Sequence, residues 1–172
     1  AIFAGKTVTA EFAVSDPGET RNPRNLSYTP GGSSSGSAAS VAAGFCDIAI
    51  GTQTSGSVIR PAGYCGTIGY KPSFGRISRD GVLLFSNSMD HIGICAKDLN
   101  LLEKILPIIV DGWRCQKPKI NRNISIGVPV GSFLNLSKAP VLHQFFNTVQ
   151  LLKAKFHVNK FELVKDINRY NR

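Results

Sequence analysis

Residues 30–45, PGGSSSGSAASVAAGF, decide how this chain is read. A glycine-serine run is usually a flexible tether, because these residues bury little surface and order poorly. A tether should stay polar or open into a new domain. This one runs directly into Ala38, Ala39, Val41, Ala42 and Ala43, a small-residue stretch that reads as a compact helix, with Ser35 or Ser37 placed to cap it. The run is therefore read as a structured loop that presents hydroxyls at a helix start. A second segment of the same texture, TQTSGSVIRPAGYCG at 52–66, follows a short apolar strand, DIAIG at 47–51.

The surrounding pattern is α/β. AIFAGKT at 1–7 reads as a strand already under way, part of something longer, and TVTAEFA at 7–13 as a helical turn. TIGYKP at 67–72 reads as a buried strand, and residues 75–97 as strand and turn ending on the apolar ladder HIGICA. Apolar residues at 99, 102, 105, 106 and 109 predict an amphipathic helix over 99–110 that Pro107 should kink or end. Beyond a polar connection at 112–123 come a strand at 124–130, a helix at 139–154 and a strand at 156–164. Strands alternating with helices predict a mixed, largely parallel β-sheet flanked by helices. Two parts of one domain are expected, 1–110 carrying the serine loops and 111–172 continuing it.

Composition narrows the function. The 172 residues are 42% hydrophobic, and no apolar run approaches the roughly 20 residues of a membrane helix. A cytoplasmic protein without a membrane role is expected. Cys46, Cys65, Cys95 and Cys115 lie too far apart for metal pairs or a redox motif, and His91, His143 and His157 have no ligand spacing, so neither metal nor cofactor is expected. The net charge of +9 is uneven: residues 1–97 carry eight Lys/Arg against six Asp/Glu, and residues 98–172 twelve against five. Lys117, Lys119, Arg122, Lys153, Lys155, Lys160 and Lys165 belong to the basic half, but no groove-reading or stacking-aromatic motif accompanies them. A solvated face is preferred over a nucleic-acid surface.

Three chemistries compete for the first loop. Gly32-Ser33-Ser34-Ser35-Gly36 matches G-x-S-x-G, yet the nucleophile elbow needs an apolar strand before it, and NPRNLSYTP precedes it here. Gly31 to Gly36 has P-loop glycine spacing, but Ser37 stands where that loop needs lysine. The third reading uses both loops. Two hydroxyl-rich segments can surround one point with backbone N–H groups suited to a developing oxyanion, which is the geometry of acyl transfer. A serine nucleophile needs a base, no histidine lies in either loop, and a desolvated lysine is the other known solution. Asp90-His91 does not make a Ser–His–Asp set, because neighbours on a strand point apart.

The stretches PGGSSSGSAASVAAG, GTQTSGSVIRPAGYCGTIGYKPSFGRIS and SNSMDHIGICAKDL, in this order and spacing, resemble the amidase signature family of Ser–Ser–Lys amide hydrolases. The resemblance runs from GKTVTAEFA through about Leu106 and more weakly through ISIGVPVGSF. It implies a partial amidase-signature fold and hydrolysis of a carboxamide C–N bond. It further implies Ser57 as the acyl-forming nucleophile, Ser33 as a bridging serine held after a cis peptide at Gly32, and an oxyanion hole from the N–H groups of Thr54, Ser55, Gly56 and Ser57. Ser33 and Ser57 should lie within hydrogen-bonding reach. Ser34, Gln53 and Arg60 are expected to support the loops, Arg60 by an ion pair or hydrogen bonds to loop carbonyls.

Two departures matter. Gln53 and Ser55 stand where many members carry an acid and a glycine, and the arginine is displaced by one, a form that tilts toward general amidases. The family's lysine belongs to a Lys-Asp context upstream of the serine loop, and Lys6, Lys71 and Lys97 do not match it by motif, so the 172-residue chain alone is expected to be inactive. The alternative within the family is the A subunit of a glutamyl- or aspartyl-tRNA amidotransferase, which releases ammonia from glutamine for partner subunits. A non-catalytic module binding an anion or a partner is the alternative outside it. A small-molecule amide is the expected substrate, and homodimerisation is left open.

Overall fold

The computed structural model describes residues 2–13, 16, 18–114 and 124–163, and the chain divides into two compact units, Ala1–Gln116 and Lys117–Arg172. Cys115, Lys117, Lys119, Arg122 and Lys165, singled out in the sequence, lie outside the described residues.

The first unit is built on a three-stranded sheet, β1 (Ile48–Gln53), β2 (Ile68–Tyr70) and β3 (His91–Ala96), in the order β1-β3-β2. Both pairings are antiparallel, with Ile48 opposite Ala96, Gln53 opposite His91 and Tyr70 opposite Ile94. The expected parallel character is thus absent from this sheet. β3 is central, and its residues 92–96 are all buried, which is why HIGICA reads as an unbroken apolar run.

Two helices pack against this sheet. On α1 (Ser35–Ala42) and α2 (Ile59–Cys65), the side chains of Ala38, Val41, Ala62 and Cys65 join Ala49, Val58 and Cys95 in one core. Small residues let the helices approach closely, and glycines do the same within the sheet: a Cβ on Gly51 would fall 2.5 Å from Ser34 Oγ. The second core lies under α3 (Leu99–Ile109), whose Leu102 and Leu106 pack with Ile94 and Ala96. Asp98 caps α3 by accepting a hydrogen bond from the Leu101 N–H at 2.9 Å. Pro107 lies inside α3 rather than ending it, forgoing the N–H bond to the preceding turn, and two helical residues, Ile108 and Ile109, follow it.

Three expectations are corrected. Residues 2–10 form no strand, since residues 8–10 instead bond the serine loop at separate points: Gly36 N–H to Val8 O at 2.8 Å and Ala10 N–H to Ser33 O at 2.8 Å. The helical turn shrinks to a 3-10 turn at Glu11–Ala13, broken by positive φ at Phe12 and Ala13. Neither Ser35 nor Ser37 caps α1. Ser34 holds the N-cap position without a capping side-chain bond, and Ser37 Oγ, inside the helix, donates to Ile50 O at 2.8 Å. Tertiary partners outcompete the local cap.

The second unit pairs β4 (Ser125–Val130) with β5 (His157–Glu162) in parallel, joined through α4 (Ser132–Asn135) and α5 (Ala139–Lys153). A parallel pair needs such a crossover. Taken together the two sheets are mixed and flanked by helices. No helix among the described residues is long and apolar enough to cross a membrane.

Candidate active site

The two serine loops meet. Ser34 N–H donates to Ser57 O at 3.1 Å, so the residue after Ser33 is bonded to the main chain of Ser57 itself. The first loop is held from behind by residues 7–10: Ser33 O accepts from Ala10 N–H and from Thr9 Oγ1 at 2.9 Å, and Thr7 Oγ1 lies 2.9 Å from Ser37 Oγ. The peptide Gly32–Ser33 is cis, the isomer the resemblance implies. Ser34 Oγ reaches the sheet, donating to Thr52 O and accepting from Thr52 N–H, both at 3.2 Å. Ser34 is thus a brace between α1 and the end of β1.

Ser33 and Ser57 are both buried, at 3% and 7% exposure. The Ser33–Ser57 hydroxyl bond is not made: Ser33 Oγ is buried with no hydrogen-bond partner among the described residues. An enclosed hydroxyl without a partner costs about 1–3 kcal/mol and calls for a reason.

The second loop leaves β1 at Gln53 and enters α2 at Ile59. Gln53, 5% exposed, uses its whole amide: Oε1 accepts from Val58 N–H at 2.8 Å and Ile59 N–H at 2.9 Å, and Nε2 donates to Ser55 O at 3.2 Å. A carboxylate of the same length could accept the first two bonds but could not donate the third. Gln53 therefore fastens both ends of the loop without placing a charge under it. Between those ends, no N–H of Thr54, Ser55, Gly56 or Ser57 donates a hydrogen bond among the described residues. Four successive N–H groups, ending on a buried serine, are thus left without a protein acceptor among the described residues.

Arg60 departs from expectation. Its side chain is exposed and makes no hydrogen bond or ion pair among the described residues, and its guanidinium lies over Gly56, where a Cβ would come within 3.3 Å of Nη2. Lys71 Nζ donates to Pro72 O at 2.7 Å, a turn contact as its motif suggests. No cluster of metal-binding side chains occurs among the described residues.

Asp90, rejected above as part of a Ser–His–Asp set, is placed by the structure beside the second loop. Buried at 6% exposure, it accepts from Thr54 Oγ1 at 2.5 Å through Oδ1, and from Phe85 N–H at 2.6 Å and Ser86 N–H at 2.9 Å through Oδ2. Burial alone would raise its pKa, but the bonds from Thr54, Ser86 and Phe85, with the Arg79 charge, together hold it below the ordinary carboxylate value. The signal was present: an acid abutting a buried apolar strand must find partners. What the sequence lacked was the partner, 36 residues away.

A family model described as Amidase matches residues 1–166, across both units. The chain belongs to the amidase family. Among curated amidase relatives, the A subunit of the Glutamyl-tRNA(Gln) amidotransferase of Lachnospira eligens is 44% identical over 175 residues, covering 90% of this chain and 36% of that protein. The same protein of Methanospirillum hungatei is 38% identical over 174 residues, covering 90% of this chain and 40% of that one. The chain thus spans at most 40% of the length of these two relatives. Among solved amidase-family structures, the A subunit of the Glutamyl-tRNA(Gln) amidotransferase of Thermotoga maritima superposes with a TM-score of 0.78 at 32% identity, over 92% of this chain and 40% of that one. A peptide amidase in complex with the competitive inhibitor chymostatin superposes at 0.74 and 28% identity, over 97% of this chain and 40% of that one.

Proposed function

We propose that this amidase-family chain carries the nucleophile and oxyanion hole of an A-type amidotransferase subunit, one that releases ammonia from glutamine for partner subunits. The observation that carries the chemistry is the run of four free N–H groups at 54–57, ending on buried Ser57 and bonded through Ser34 N–H to the loop of Ser33. In this reading Ser57 Oγ attacks the carboxamide carbon and its proton passes to Ser33, which relays it to a lysine base. The tetrahedral oxyanion is held by the free N–H groups. The C–N bond then breaks, ammonia leaves with a proton returned along the same path, and water attacks the acyl-enzyme to give the carboxylate and free Ser57. The relay requires Ser33 Oγ to bond both Ser57 and the base, and among the described residues its hydroxyl has no competing partner that must first be given up.

The choice of an A-type subunit rests on the named curated relatives, which favour it over the general amidase suggested by Gln53 and SVIRPA. A stand-alone amidase is the second reading, supported by the likeness to the peptide amidase. Glutaminase activity of the full-length protein, measured with and without candidate partner subunits, separates the two. Hydrolysis of glutamine that rises with the partners is expected, and Ser57→Ala should lower kcat by at least about 10³-fold. Partner-independent hydrolysis of simple amides without glutaminase activity would replace the first reading with the second. Near-normal turnover by Ser57→Ala would remove both.

A further inference from the structure

None of the N–H groups of residues 54–57 donates to a protein acceptor among the described residues, so the position of this loop rests on other bonds. Something must hold residues 54–57 in place while leaving their N–H groups unused. Gln53 does this from inside the loop. The hold from outside comes at Thr54, the residue immediately after the last β1–β3 pair, Gln53 with His91. There the backbone ladder stops and a side-chain bond continues it: Thr54 Oγ1 donates to Asp90 Oδ1 at 2.5 Å. The attachment uses the hydroxyl and leaves the Thr54 N–H free.

Asp90 is itself well anchored. Its Oδ2 accepts from the N–H groups of Phe85 and Ser86, and the preceding loop is folded around Arg79, which donates to Asn87 O at 2.8 Å and to Asp90 O at 3.4 Å. The Arg79 guanidinium also stacks 4.5 Å over the Phe74 ring, whose other contact is an edge-on His91. A carboxylate this close to a site that stabilises negative charge would oppose catalysis if bare. Here three donors and the Arg79 charge offset its field, so it can serve as a rigid anchor.

We propose that Asp90 is a positioning residue for the oxyanion loop: through the Thr54 hydroxyl it sets the first of the four free N–H groups and ties that loop to residues 79–90. The inference rests on the acyl-transfer reading above.

The test uses a fluorophosphonate probe on the full-length protein, which requires no knowledge of the substrate. Ser57 Oγ bonds to phosphorus as the P–F bond breaks, fluoride leaves, the hydroxyl proton passes to the base, and the phosphoryl oxygen occupies the oxyanion hole. Thr54→Val removes the hydroxyl at nearly constant shape. It should lower the maximal labelling rate by roughly 10- to 100-fold, in line with a misaligned oxyanion donor, with half-saturating probe concentration unchanged within about twofold. Thr54→Ser should recover most of that loss. In an Asp90→Ala background, Thr54→Val should add little, because the two act as one unit. An undiminished rate in Thr54→Val, or losses that multiply in the double variant, would overturn the proposal. If Asp90→Ala does not fold by circular dichroism, the Val/Ser pair at Thr54 decides alone. Labelling that fails at Ser57, or that survives Ser57→Ala, overturns the acyl-transfer reading and this proposal with it; labelling at Ser57 that ignores Thr54 overturns this proposal only.

Discussion

Replacing Gln53 separates what the loop needs for stability from what it needs for chemistry. Gln53→Met keeps length and approximate shape but removes three hydrogen bonds, those from Val58 N–H, Ile59 N–H and to Ser55 O. The Val58 bond is fully buried, so its N–H would be left unsatisfied at a cost of about 1–3 kcal/mol. The bonds of Ile59 N–H and Ser55 O are only part-buried, and losing them costs about 0.5–1.5 kcal/mol each, with Ser55 at the low end. The expected loss is about 2–5 kcal/mol, a large share of a typical domain's stability. Gln53→Glu keeps both accepted bonds but turns an acceptor toward Ser55 O, so it should lie between Met and wild type in stability. Urea unfolding of the full-length proteins, with unchanged m-value, gives the ranking. Maximal fluorophosphonate labelling of Ser57 gives the second axis, where Glu should be impaired less than Met because it keeps the bonds from Val58 N–H and Ile59 N–H. A Met variant within about 0.5 kcal/mol of wild type would refute the assignment of Gln53 as the fastener.

Three further expectations follow from packing, ionisation and burial. Gly51→Ala would drive a Cβ to 2.5 Å from Ser34 Oγ and 2.8 Å from its Cβ, breaking the brace to Thr52; overpacking of about 1–3 kcal/mol and a parallel loss of labelling should appear together, and an unaffected midpoint would show that α1 can shift freely. Cys95 is pushed up to about 12 by burial, with Cys65 and Cys46 adding to the effect. Its thiol is thus favoured in the neutral form when folded. That contribution is complete below the unfolded value of about 9 and is lost as pH rises toward 12, so stability should fall across this alkaline window. In the native protein, Cys46, partly exposed, should react with a thiol reagent before buried Cys65 and Cys95, and faster labelling of Cys95 would contradict its burial.

Much of this architecture was legible because it is local. The apolar ladder HIGICA and the apolar spacing over 99–110 predict a strand and an amphipathic helix, and both are found, as β3 and α3. The two hydroxyl-rich loops were identified as partners because the first lacks the leading strand and the lysine that other chemistries need, and neither holds a histidine base. The errors share one cause. AIFAGKT has the composition of a strand, yet among residues 2–10 the bonds that form run to Ser33 and Gly36. Ser37 has the position of a cap, yet its hydroxyl finds Ile50 O and Thr7. Asp90 was set aside with His91, yet its role depends on Thr54 across the sheet. In each case a polar group chose a partner distant in sequence, and local propensity has no information on that choice.

The central claim is that Ser57 forms a covalent acyl-enzyme. The most direct measurement mixes the full-length protein and candidate partner subunits with glutamine, quenches in acid within the first turnover, and maps the peptides by mass spectrometry. A glutamyl ester on the peptide containing Ser57, absent in Ser57→Ala, is the expected result. Glutamine turnover with no such ester, or an ester located on Ser33 instead, would contradict it.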